Sequence, residues 1–293
     1  MKKRKIVLIV CLFIIFLTGS RVLWLELFDN SDQPHAVKGQ MDLRNWNFND
    51  EHAITLDGEW EFYPYNWLIS EEKHLESKKV QSTYIEVPEG WSSSLQEEEM
   101  SPYGYGTYRL KLLVNPEDKI TYSIRVPSVR SSSEIYVNGR QLAKSGEIGE
   151  KAENTVAKNV PYTVSFEANG HKEIEIIVQA SNFKDPRGGG IVRSIKLGKE
   201  DILAKETQWS IAMQQLVAVV FFIHAIYSII LFFIGNKEEK KLLYFSLLSM
   251  SIMNYYLLAS DDKLLSYLFS INYEWGFKLV HLAMVGIGFS LIQ

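Results

Sequence analysis

Cysteine is nearly absent: the 293-residue chain has one, Cys11, and none between residues 27 and 208. Disulfides and cysteine-built zinc sites are therefore excluded across that stretch, and any domain in it must be held by its own core. Cys11 follows Val10 inside an apolar run, too early for a lipid-modified cysteine. An excess of basic charge is also missing. Lys and Arg number 31 against 35 Asp and Glu, for a net charge of −4, and no basic cluster is interleaved with aromatics, so nucleic acid is not an expected partner. His35, His52, His74 and His171 lack the spacing of metal ligands. No Gly-Lys-Ser/Thr follows the glycines at 188–190, so no phosphate loop is present. The run Glu97, Glu98, Glu99 reads as a solvated loop rather than a catalytic pair. No histidine phosphoacceptor box and no cyclase motif occurs. The expectation is a chain without catalytic residues, cofactor or metal.

Two different materials are joined in it. Residues 27–208 are rich in charge, Tyr, Gly and Ser, and residues 211–293 are mostly apolar. The apolar run at 6–17 follows Met-Lys-Lys-Arg-Lys, the pattern of an export signal. It reads as either a cleaved signal peptide or a retained anchor within 1–26, with the anchor favoured. Residues 211–234 contain no Asp, Glu, Lys or Arg, and as a helix they reach about 36 Å, enough to cross a bilayer. Residues 242–260 and 277–293 are the next expected spans, with 201–210 as a helix-compatible connector. The last span meets the end of the sequence, which reads as a truncated bundle: a fragment, a truncated gene product or an upstream piece of a longer protein. The lysines at 2, 3, 5, 237, 240 and 241, with Arg4, place the N-terminus and the 235–241 loop in the cytoplasm. Residues 27–210 and the loop near 260–275 then lie outside a multi-pass bacterial cell membrane.

Between 41 and 200 the pattern is short strands and turns. Tyr108, Leu110 and Leu112 alternate with Arg109, Lys111 and Leu113; Ile120, Tyr122, Ile124 and Val126 share one face; Ile174, Ile176 and Val178 form another buried row. Asn138-Gly139 marks a hairpin over 131–146, and Asn169-Gly170 a second over 161–183. The expected fold is an all-β sandwich over 27–200 followed by transmembrane helices.

Five segments carry a resemblance: "LDGEWEF" (56–62), "VPEGW" (87–91), "YGYGTYRLKLLV" (103–114), "VRSSSEIYVNG" (129–139) and "EIEIIVQASNF" (173–183). Together they resemble the galactose-binding-like jelly roll found as the N-terminal domain of family 2 glycoside hydrolases, without the barrel that carries those enzymes' catalytic carboxylates. A jelly roll followed directly by several spans resembles the bacterial seven-transmembrane receptors with diverse intracellular signalling modules. That resemblance implies an extracellular sensor for a small molecule, with saccharides as candidates, and an output such as a histidine kinase or cyclase elsewhere. It also leaves room for a homodimer or an intracellular signalling partner.

The candidate ligand-facing residues are Trp91, Tyr103 and Tyr105, on whose rings a sugar can pack; Arg125 and Arg130, which could hold an anionic group; and Asn182 and Arg187, in the Gly-rich loop 182–190. Trp60 reads as core. Within the spans, His224, Gln214 and Asn254 are the polar side chains to explain, as functional groups or as interhelical hydrogen-bonding partners. A different class of function is open: a membrane-tethered module that binds a protein and senses no small molecule.

Overall fold

The computed structural model describes residues 2–27, 33–48, 52–69, 81–94, 101–116, 120–168, 170–235 and 240–292. The glutamates at 97–99, Asn169 and Lys237 lie outside the described residues. Helix α1 (Lys2–Leu27) belongs to a unit of its own that ends at Gln33.

In the second unit, strands β1 (Gln40–Asp42), β2 (Ile54–Thr55), β3 (Gly58–Pro64) and β4 (Thr83–Val87) precede the short helix α2 (Trp91–Ser94). Then come β5 (Gly104–Leu113), β6 (Thr121–Val126), β7 (Val129–Arg130), β8 (Ser132–Val137), β9 (Arg140–Ser145), β10 (Tyr162–Glu167), β11 (Glu173–Asn182), β12 (Gly190–Ile191) and β13 (Lys196–Lys199). The larger sheet runs β4-β3-β5-β11-β8-β9, antiparallel throughout, with β1 added in parallel along β5. The second sheet runs β10-β6-β13-β2, and β7 and β12 make a two-stranded clip.

Both sheets contribute to one core, because each strand turns alternate side chains inward. Tyr108, Leu110 and Leu112 of β5 and Ile174, Ile176 and Val178 of β11 are fully buried from one side; Tyr122, Ile124 and Val126 of β6 meet them from the other. Trp60 is at 0% exposure, and its indole N–H donates to the Leu56 carbonyl at 2.8 Å. The ring is core, as its strand pattern requires.

Asn138 and Gly139 take φ of 48° and 77°, and Val137 pairs with Arg140 across them. Two consecutive left-handed residues match the twist of the flanking strands, so β8 and β9 form the expected hairpin. The second expected hairpin is not one. β10 pairs with β6, and β11 pairs with β5 and β8. The chain near Gly170 (φ 75°) crosses from one sheet to the other. A left-handed glycine serves either kind of reversal, so the local turn signal could not separate them.

Helix α3 (Glu200–Ile234) starts directly from β13, without a separate connector. Its 35 residues extend about 52 Å, well beyond a hydrocarbon core of about 30 Å. The surplus docks on the sheets: Leu203 is fully buried, Glu206 accepts from the Ala53 amide at 2.8 Å, and Glu200 accepts from Ser165 Oγ at 3.1 Å. Helices α4 (Lys241–Ala259), α5 (Leu264–Leu268) and α6 (Tyr273–Ile292) follow. Among the described residues, α3, α4 and α6 are long and apolar enough to cross a membrane. Their inward positions are small or polar (Ala218, Ala225, Ser249, Ser251, Ala283), whereas Leu216, Ile223, Phe233, Leu282 and Val285 point outward. That is the packing of helices in lipid, where small residues permit close approach and apolar bulk needs no burial in protein. Gly286 shows the closeness, since a Cβ there would run into Ser251.

Candidate functional site

A cavity of about 700 Å³ opens where the sheet loops meet the ends of α4, α5 and α6. The sheet side is built from Ser128, Arg130, the segment 156–160, Arg187 and Arg193; the helix side from Leu258, Asp261, Lys263, Tyr273 and Phe277. Its volume is that of a small-molecule site.

Asp185 organises one wall. It is completely buried and accepts three bonds from Arg187, from the backbone amide at 3.0 Å, Nε at 2.9 Å and Nη2 at 2.7 Å; the Tyr273 hydroxyl donates to it at 2.5 Å. Arg130 Nε stands 3.7 Å from the same carboxylate. Beneath it, Asn182 is fully buried and donates from Nδ2 to the Asp185 carbonyl at 2.7 Å and to Pro102 O at 2.8 Å. Burial acts to raise the Asp185 carboxyl, but the bonds from Arg187 and Tyr273 outweigh it and hold it down to about 2. A carboxyl with a folded value below its unfolded one adds stability above about pH 4, and that stability is lost as the pH falls towards 2. The contribution is roughly 2 kcal/mol. Acid unfolding of the full chain is therefore expected to lose a step between pH 4 and 2 in the Asp185→Asn variant; equal pH slopes for variant and parent would refute the assignment.

The opposite wall is set by Lys263, whose backbone is left-handed at φ 45°. Its ammonium donates to Ser128 Oγ at 2.9 Å, to the Asn159 carbonyl at 3.1 Å and to Asn159 Oδ1 at 2.5 Å. Burial pushes it down to about 7, Asp261 works in the other direction, and Arg193, Arg130 and Arg187 add to the depression. Arg193 reaches Asp261 at 3.4 Å, both half-exposed. Burial also lowers Arg130, with Arg187 contributing.

The sequence-derived candidates fall into separate places. Arg130 and Arg187 do line the cavity, and Asn182 supports it from below. Trp91 is fully buried, stacked on Phe62 with ring centroids 6.1 Å apart, and its indole N–H donates to Ser101 O. The expectation that Trp91 and Asn182 face a ligand is corrected: both are enclosed by protein. The glycines of 188–190 are explained by the same packing. A Cβ on Gly189 would strike the Trp91 ring, one on Gly190 the Tyr108 hydroxyl and one on Gly188 the Ser92 hydroxyl, so the close approach they permit is to the protein's own side chains. Tyr103 is exposed, and Tyr105 packs at 4.7 Å against Trp67 and 5.8 Å against Tyr65; neither lines the cavity. Arg125 is a structural ion pair with Asp262.

In the spans, Gln214 is buried and bonds across to α4, donating to Tyr256 O at 2.9 Å and to Ser260 Oγ. His224 is exposed and donates from Nδ1 to its own helix at Val220 O, 2.7 Å. Asn254 is half-buried on α4. Lys263, Asn159, Arg193 and Tyr273 were not among the candidates. In sequence the loop near 260–275 stood out only by the side of the membrane expected for it.

No family model and no curated protein matches the chain. Solved structures similar to it include a family 2 β-galacturonidase from Eisenbergiella tayi bound to galacturonate, at 15% identity and TM-score 0.34, covering 50% of this chain and 24% of that one. A glycosyl hydrolase family 2 member from Bacteroides cellulosilyticus is 20% identical with TM-score 0.37, covering 50% and 20%. A β-glucuronidase from an uncultured Clostridium is 17% identical with TM-score 0.37, covering 50% and 28%. The chain thus matches only 20% to 28% of the length of these three. Likenesses this weak support no conclusion about its activity.

Proposed function

We propose that this chain is the sensing part of a membrane-bound bacterial receptor. In this reading the two sheets form an exported jelly roll that binds a small ligand, saccharides included, and acts by binding rather than by catalysis. The ligand shifts the sheets against the helix ends, and α3, α4 and α6 carry the movement to an intracellular output module. The observation that carries the reading is the cavity's double lining: one wall comes from sheet loops and the other from loops and ends of membrane-crossing helices. A molecule held between them has different contacts whenever the two move, which is the condition for a ligand to shift a conformational equilibrium. The Lys and Arg distribution supports the outward orientation of this face.

The test uses the full chain in phosphatidylcholine nanodiscs. At least one member of a panel of saccharides and sugar acids is expected to raise the unfolding midpoint by several degrees and to slow amide exchange in residues 200–210. Ala157→Trp, which fills the cavity, is expected to abolish both effects while leaving the circular dichroism unchanged. If no panel member has an effect, or if the effect survives Ala157→Trp, the proposal fails.

A further inference from the structure

We infer that the ligand of this cavity is an anionic amphiphile, with a carboxylate or phosphate head among the cations at its mouth and an apolar portion between α4 and α6. The inference rests on the sensor reading only for the use of the site, not for its chemistry. Five cationic side chains line the cavity, Arg130, Lys158, Arg187, Arg193 and Lys263, against one lining carboxylate, Asp261. Asp185 behind the wall is already saturated by Arg187 and Tyr273. Lys263 is the sharpest case: its ammonium is buried and donates to neutral oxygens of Ser128 and Asn159. Unbalanced cations in a partly enclosed site favour an anion, and the enclosed setting strengthens the attraction relative to water.

The other end of the cavity is apolar. Tyr255 and Leu258 of α4 face Phe277, Val280 and Met284 of α6. The α6 lining residues from Tyr273 to Met284 follow one helical face and descend about 16 Å along the axis, roughly half the hydrocarbon thickness. A head-only anion would leave that cleft unfilled. A neutral amphiphile would add no counter-charge to a lining in which five cations meet one carboxylate. The head and the chain together match both halves, whether the molecule comes from the bilayer or from solution.

Native mass spectrometry of the full chain released from nanodiscs tests this. Decanoate, decyl β-glucoside and inorganic phosphate are added separately to phosphatidylcholine discs, and a further set of discs contains phosphatidylglycerol. Retention of decanoate, of phosphatidylglycerol, or of both supports the inference, and the pattern says whether the source is soluble or the bilayer. Decyl glucoside and inorganic phosphate are each expected to bind at least tenfold more weakly. Lys263→Gln is expected to cut occupancy about tenfold; Lys158→Gln combined with Arg193→Gln, outside the Ser128–Asn159 contacts, should do the same with an unchanged melting midpoint. Equal retention of the glucoside, equal retention of phosphate, or occupancy indifferent to both sets of substitutions would overturn it. If a neutral saccharide raises the midpoint and neither anionic amphiphile is retained, the sensor reading stands and this inference falls. If the amphiphile binds through these cations while residues 200–210 do not respond, the inference stands and the sensor reading falls.

Discussion

Asp262→Ala is expected to lower the stability of the chain by about 3–5 kcal/mol, the largest loss from any single side chain at the junction of sheet and helices. Asp262 lies in the loop after α4, with its side chain only 4% exposed, and it pairs with Arg125 of β6, itself 12% exposed. Its second oxygen accepts from Ser210 of α3 at 2.6 Å. One carboxylate therefore joins a strand, the first long apolar helix of this unit and the end of the next. Removing it strands the Arg125 guanidinium in a largely enclosed site, with Thr163 Oγ1, at 3.3 Å, as its remaining partner among the described residues. The desolvation cost of that unpaired charge, more than the lost attraction, sets the size of the effect. Two measurements separate this cause from general fragility. The Arg125→Met, Asp262→Leu double variant should regain most of the loss, because it removes both charges together. Ser210→Ala should cost only about 1 kcal/mol, the value of one hydrogen bond. A parental unfolding midpoint for Asp262→Ala in nanodiscs would show that the pair contributes nothing to holding sheet and helices together.

Gly190→Ala should cost roughly 2–5 kcal/mol, combining backbone strain with overpacking. Gly190 has φ of 100°, which side-chain-bearing residues rarely adopt, and the added methyl would enter the space of the Tyr108 hydroxyl and approach the Trp91 ring. Tyr108 and Trp91 are both fully buried and cannot withdraw without opening the core. Gly139→Ala is the matched control. Its φ of 77° is also left-handed, but nothing lies within 4 Å of the new atom, so strain alone, about 1 kcal/mol, is expected. Equal losses at the two positions would mean that the Trp91 and Tyr108 contacts are not what requires glycine in 188–190.

These two sites show how much was legible in the order of residues. Tyr108, Leu110 and Leu112 announced a buried strand face because side chains alternate every residue along a strand, and that rule needs no knowledge of the partner strand. Asn138-Gly139 announced a hairpin for an equally local reason, the need for two left-handed residues. The charge-free run of 211–234 announced a helix able to cross a bilayer, since length and composition suffice for that. Gly170 misled because a left-handed residue reverses the chain in the same way whether the next strand joins the same sheet or the opposite one. Trp91 misled for a related reason: an aromatic beside a Gly-Pro-rich loop can serve a ligand or the core, and only its neighbours decide.

Taken by itself, then, the order of residues determined the materials: a cysteine-free strand domain, an acidic rather than basic chain, apolar helices beyond residue 200, and the turns that nearest neighbours dictate. The tertiary structure alone decided which strands share a sheet, that Gly189 and Gly190 make room for Trp91 and Tyr108, and that Arg130, Arg187, Asn159 and Lys263 surround one cavity. Periodicity and turn chemistry act over a few residues. The cavity's walls come from positions far apart in the chain, Ser128 and Lys263 among them, and the force that joins them, burial of charge where a partner meets it, has no local signature.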